Sequence, residues 1–175
     1  GDDRLWARGG DDLVYGNEGN DGLYGEDGKD VLHGNEGNDE LRGGRGNDTL
    51  YGEIGADKLY GEDGDDLLAG GMGNDLIDGG SGEDLLLFPG AMEGVTVNIA
   101  CGGNGWATDG VGGKDELRSS IDGAWGTDYD DVLIGDDSRT EFHGKGGDDF
   151  IDGRGGDDFL YGDEGKDMIL GGSGS

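Results

Sequence analysis

Ten aspartates stand nine residues apart without a break: Asp3, Asp12, Asp21, Asp30, Asp39, Asp48, Asp57, Asp66, Asp75 and Asp84. The interval resumes with Asp131, Asp149, Asp158 and Asp167, and Thr140 occupies the one place in that run without a carboxylate. Carboxylates are hard donors. Calcium takes six to eight oxygens from carboxylates and backbone carbonyls, so evenly repeated aspartates point to a hard cation. Zinc prefers His and Cys, but His33, His143 and Cys101 are scattered. Magnesium resists the dehydration that an all-protein cage demands. Catalytic patterns are missing. There is no H-E-x-x-H, "GGSGED" lacks the second glycine of a nucleophile elbow, and "DYDDVL" lacks the glycine of an EF-hand loop. The reading is therefore non-enzymatic, with any catalysis elsewhere in a parent protein. Cys101, in "ACGGNGW", reads as incidental.

The elements that position these carboxylates follow from the repeat. From Gly16 to Leu87 the chain divides into eight nonapeptides. Each has Gly first and fourth, Asp sixth and an aliphatic residue eighth. Six residues rich in Gly, Asn and acid make turns, and the last three, as in Thr49-Leu50-Tyr51, suit a short strand with its middle side chain pointing inward. Two repeats then close one coil of 18 residues. The expectation is an all-β, right-handed parallel β-roll, a β-helix solenoid with two nonapeptides per coil. Leu5, Val14, Leu23, Leu32 and their successors stack inside it. Residues 1–87 form the first array and residues 126–175 the second. Residues 88–125, which hold the only proline, are expected to be irregular bridging coils of the same stack, with "GVTVNIA" (94–100) alternating as a strand should. The register shifts by two within this bridge.

The composition poses a problem that the cation answers. The net charge is −30, and Leu, Ile, Val and Phe make up only about 19% of the chain, a combination that marks disorder. Two repeats per coil put alternate aspartates on opposite edges, stacked at the ~4.8 Å spacing of strands. Neighbouring charges at that spacing repel by roughly 1 kcal/mol in water, and more where water is excluded. Without counter-charge the columns oppose folding; with it, binding free energy becomes folding free energy. The same charge argues against nucleic acid and anionic membranes as partners, and no apolar run is long enough to span a bilayer.

The phased pattern resembles the calcium-binding nonapeptide "G-G-x-G-x-D-x-U-x" of the RTX (repeats-in-toxin) family. It departs where Asn17, Glu26, Asn35, Glu53 and Glu62 replace the second glycine and where Thr140 replaces Asp. The resemblance implies calcium ions between successive turns, held by the sixth-place aspartates and turn carbonyls. Same-edge neighbours then give about ten Ca2+. It also implies secretion from a bacterium through a type I channel, with folding outside the cell. Both terminal repeats are cut short, so the chain reads as an excised fragment. One outer face, carrying Leu13/Tyr15, Val31/His33, Thr49/Tyr51, Leu67/Ala69 and Leu85/Leu87, is the more apolar. It is open to a neighbouring domain or a second copy. The aromatic ladder leaves a polysaccharide-binding or adhesive accessory module as the alternative function.

Overall fold

The computed structural model describes residues 1–100, 104–118 and 120–174, so Cys101 lies outside it. Nine six-residue strands come first: β1 (Arg4–Gly9), β2 (Leu13–Glu18), β3 (Gly22–Asp27), β4 (Val31–Glu36), β5 (Glu40–Arg45), β6 (Thr49–Ile54), β7 (Lys58–Asp63), β8 (Leu67–Met72) and β9 (Leu76–Ser81). Short strands follow: β10 (Leu85–Leu87), β11 (Thr96–Asn98), β12 (Gly105–Thr108), β13 (Lys114–Leu117) and β14 (Gly123–Trp125). The last five are β15 (Val132–Ile134), β16 (Glu141–His143), β17 (Phe150–Asp152), β18 (Phe159–Tyr161) and β19 (Met168–Leu170). No helix occurs among the described residues.

Alternate strands fall in two sheets. One runs β1-β3-β5-β7-β9-β13-β12-β11-β15-β17-β19, and the other β18-β16-β14-β10-β8-β6-β4-β2. Within each array the pairs are parallel and 18 residues apart, as in Leu50↔Leu68 and Leu133↔Ile151. Two nonapeptides thus make one coil of a β-roll. Eighth-place residues from the two sheets meet between them. Leu23, Leu32, Leu41, Leu50, Leu59, Leu68, Ile77 and Leu86 are all buried, and the row continues through Leu117, Ala124, Leu133, Phe142 and Ile151. Full burial of such a side chain stabilises by about 1.5–3 kcal/mol.

The strands of the first array are longer than the three residues expected. After Gly52 the chain pairs again, Glu53 with Gly71 and Ile54 with Met72. The second-place residue makes this possible by entering the left-handed region. Asn17, Glu26, Asn35, Glu53 and Glu62 all have φ between 73° and 77°, which re-aims the backbone so that the third place rejoins the next coil. In the second array the strands stop at three residues.

The bridge departs from a simple continuation. β11 pairs antiparallel with β12, and β12 antiparallel with β13, so three strands stand in the larger sheet between β9 and β15. β13 joins β9 in parallel, Leu117 facing Ile77, and β11 joins β15, Val97 facing Leu133. The alternation of residues 94–100 is met, with Val95, Val97 and Ile99 inward. In the smaller sheet β14 follows β10 directly, Leu85 facing Gly123, and the two extra residues of the register shift lie between them.

Candidate metal centre

Each sixth-place aspartate immediately precedes a strand, where the chain turns in from the coil edge. Its Oδ1 accepts the N–H of the corresponding aspartate one coil earlier: Asp48 N–H to Asp66 at 2.7 Å, Asp39 N–H to Asp57 at 2.8 Å. The same bond recurs along both edges. It fixes the carboxylate and leaves Oδ2 pointing at the turn. There, Oδ2 of Asp21, Asp30, Asp39, Asp48, Asp57, Asp66, Asp75, Asp84, Asp149 and Asp158 is buried with no hydrogen-bond partner. A buried unpartnered carboxylate oxygen carries a large desolvation cost, so ten in register call for a common cause.

The surroundings of one such oxygen show a second acceptor beside it. A Cβ placed on Gly52 would stand 2.6 Å from Oδ2 of Asp57 and 2.5 Å from the carbonyl oxygen of Gly70, one coil on. Two acceptors converge on the space beside a glycine, with no hydrogen between them. Gly16 has the same neighbourhood, at 2.7 Å from Oδ2 of Asp21 and 2.7 Å from the Gly34 carbonyl. A bound cation, or a proton on the carboxyl, would satisfy such a set. The first-place glycine is required because any side chain would fill this space.

Burial raises the carboxyls first, and mutual repulsion adds to it. Asp48, Asp57 and Asp84 are pushed up to about 7, and Asp66, Asp75 and Asp149 to about 6, against the backbone hydrogen bonds that hold them down. Burial also raises Asp30, Asp39, Asp131 and Asp158. A bound divalent cation reverses this by supplying the opposite charge.

The residues fit calcium. Among the described residues no three His, Cys, Asp or Glu side chains form a metal-binding group; the donors that converge beside the first-place glycines are one carboxylate oxygen and one backbone carbonyl oxygen, as at Gly52. That donor set suits a hard cation. The histidines are engaged elsewhere: His33 Nδ1 lies 2.8 Å from Glu53, and His143 sits between Glu141 and Asp163.

Strand pairing stacks the predicted aspartates in two columns. One holds Asp3, Asp21, Asp39, Asp57 and Asp75, and beyond the bridge Asp131, Asp149 and Asp167. The other holds Asp12, Asp30, Asp48, Asp66 and Asp84, then Asp158. Asp3 at one end is exposed, and Asp12, Asp158 and Asp167 are half-buried. Asp131 is unlike the rest. Its Oδ2 accepts the Thr127 N–H at 2.6 Å, while its Oδ1 accepts from Val95 and Thr127 Oγ1. Thr140 donates its hydroxyl to the Ser138 carbonyl at 3.3 Å, so that place brings its own proton.

Two further column members lie in the bridge, outside the arrays as bounded from the sequence. Asp115 accepts the Asp75 N–H at 3.1 Å and is pushed up to about 8, chiefly by burial. Asp122 accepts the Asp84 N–H at 3.0 Å. Their signal was present as Asp-x-aliphatic: Asp115-Glu116-Leu117 is displaced from both phases by the bridge, whereas Asp122-Gly123-Ala124 stands nine residues before Asp131, in the phase of the second array.

On the outer face of the smaller sheet, His33 stacks between Tyr15 and Tyr51 with centroids 4.8 Å apart on both sides. His143 stacks on Tyr161 at 4.3 Å. Trp125 meets the His143 ring edge-on at 5.8 Å.

A family model for the RTX calcium-binding nonapeptide repeat matches four times, over residues 1–23, 24–59, 51–86 and 143–175. No curated protein matches. With well over half the chain matched and the repeats closed into a β-roll, the chain belongs to the RTX calcium-binding nonapeptide repeat family.

Proposed function

We propose that this chain is a calcium-driven folding module of a larger secreted bacterial protein, unfolded where calcium is scarce and folded outside the cell. The observation that carries this reading is the set of ten buried Oδ2 atoms without partners. Asp21, Asp30, Asp39, Asp48, Asp57, Asp66, Asp75, Asp84, Asp149 and Asp158 would hold the ions, together with turn carbonyls such as that of Gly70. Each ion would supply positive charge where the fold concentrates acceptors. Asp3, Asp12, Asp131 and Asp167 would belong to the same columns as neighbours of these sites. About ten ions would reduce the formal charge from −30 to about −10.

The chain's own residues do the rest. Oδ1 ties each coil to the one before, first-place glycines keep the ion space open, and eighth-place leucines supply the core once repulsion is removed. Coupling is then obligatory, since no site exists in the unfolded chain. In this reading, export proceeds unfolded through a type I channel, and the parent's activity lies outside these residues. The apolar face of the smaller sheet is where a neighbouring domain or a second copy would dock. The test is far-UV circular dichroism during a calcium titration, with magnesium as control. A cooperative coil-to-β transition with calcium alone, near ten ions per chain, is the expected result. A chain already β-rich in chelator at neutral pH would overturn the folding switch.

A further inference from the structure

On the outer face of the smaller sheet three rings stack along the coil axis. Tyr15 lies on His33 and His33 on Tyr51, with centroids 4.8 Å apart and planes 13° and 15° from parallel. That interval equals the ~4.8 Å spacing of strands, so each coil supplies one rung. Strand register sets the row: Tyr15, His33, Tyr51, then Ala69. Beyond Leu87 the row resumes with Trp125, His143 and Tyr161. Rings are the rule in this row, and Ala69 with Leu87 is the interruption. Tyr51 therefore has one face on His33 and the other pointing along the stack towards the coil of Ala69. Among the described residues no ring stacks on that second face.

A cavity of about 500 Å³ opens at this end of the ladder. It exists because the stack lacks a turn. β8 runs on through Met72, but its partner β10 ends at Leu87, and the chain leaves through Phe88 and Pro89. Tyr51, Leu87 and Phe88 wall the cavity, and Met72 and Met92, both largely exposed, stand at its mouth. Its size is within the ~300–1,000 Å³ of ligand sites, which are mostly apolar and aromatic in lining. Methionine adapts its shape and makes favourable sulfur contacts with aromatic rings. The carboxylates that border the cavity are already engaged. Glu53 holds His33 Nδ1 at 2.8 Å, Asp109 accepts the N–H groups of Gly73, Val111 and Gly113, and Asp115 accepts that of Asp75. No group there waits for a counter-charge, so shape and apolar contact decide what fits.

We propose that this cavity binds an uncharged planar aromatic molecule of one or two rings, seated on the open face of Tyr51 as the next rung of the ladder, with Met72 and Met92 against its edge. The site uses no ion and needs only the folded roll. An aliphatic molecule of equal size fills the same space but offers Tyr51 no ring face.

The experiment uses the full chain labelled with 13C in its methionine methyls, folded in calcium as far-UV circular dichroism shows. The chain has three methionines, Met72, Met92 and Met168, and Met168 in β19 is the internal control. Benzyl alcohol, indole and cyclohexylmethanol are titrated. Benzyl alcohol and indole should move the Met72 and Met92 methyl signals upfield by ring current, saturably, and leave Met168 in place. Benzyl alcohol should bind roughly two- to tenfold more tightly than cyclohexylmethanol, although the latter is the more apolar. Tyr51→Leu puts in this row the residue it already carries at Leu87 and should erase that preference. Ala69→Tyr should cover the open face of Tyr51 and abolish indole binding; if that variant fails to fold, Tyr51→Leu decides alone. Cyclohexylmethanol binding as tightly as benzyl alcohol, or a preference that survives Tyr51→Leu, would overturn the stacking on Tyr51. Unmoved Met72 and Met92 signals at millimolar indole would overturn the site itself.

Discussion

Acidification in the absence of calcium should fold this protein. Burial raises Asp48, Asp57 and Asp84 to about 7, Asp66, Asp75 and Asp149 to about 6, and Asp115 to about 8, from 3.8. The folded form therefore binds more protons than the unfolded chain, and stability rises as pH falls. The contribution of each carboxyl is fully present below about 4 and is lost as pH rises through 6 to 8. At 1.36 kcal/mol per pH unit, bringing the pH from 7.5 to 5 returns roughly 1–3 kcal/mol at each of these groups. Seven such groups together are comparable with the 5–15 kcal/mol that holds a domain. The assay is far-UV circular dichroism and tryptophan fluorescence of dilute protein in calcium-free buffer, from pH 8 down to 5, above the pI of about 4.1. A coil-to-β transition with its midpoint between pH 5.5 and 7 is expected. Surface carboxylates titrate near ~4, so a transition that only begins at pH 5, the end of the range, would assign the effect to general charge and refute the argument. A signal unchanged across the range would refute it as well.

Three substitutions test the same geometry. Asp57→Asn keeps Oδ1 for the Asp39 N–H and puts an amide N–H beside the Gly70 carbonyl. It should raise the calcium midpoint yet lower the acidity needed to fold without calcium; a shift of the same sign in both titrations would contradict the orphaned-oxygen reading. Thr140→Asp restores a carboxylate between Asp122 and Asp158. It should add an ion and raise the melting temperature in calcium, and equilibrium dialysis with no added ion would count against it. Gly55→Ala puts a Cβ onto the Gly37 carbonyl at φ 151°. Strain alone is worth about 1–3 kcal/mol, so the melting temperature in excess calcium should drop by several degrees, and an unchanged value would mean the turns are not stacked this closely.

Much of this architecture is legible in the sequence because the repeat is strictly local. Once 18 residues close one coil, residues 18 apart must face each other, as Leu50 and Leu68 do. Periodicity therefore names the core leucines and the ten aspartates of the first array without any knowledge of the fold. The charge of −30 makes a counter-ion necessary, and the oxygen-rich, histidine-poor composition makes calcium the fitting one.

Tertiary structure decides what the count cannot reach. Where the chain re-enters the larger sheet after residue 88 depends on how Leu117 finds the core, and only that packing brings Asp115 into its column. The period treats Asp131 and Asp149 alike, yet Thr127 satisfies one and nothing satisfies the other's Oδ2. Gly44, Gly71, Gly80, Asn17 and Asn35 mark the left-handed backbone of the second place in the sequence, whereas Glu26, Glu53 and Glu62 share that backbone without any such mark, because pairing with the next coil demands it. The cavity at Met72 exists because one turn is missing from a stack, and a missing neighbour leaves no mark on the residues that would have touched it. The period is a property of successive residues and is written in their order, whereas register across an interruption is a property of packing between distant ones.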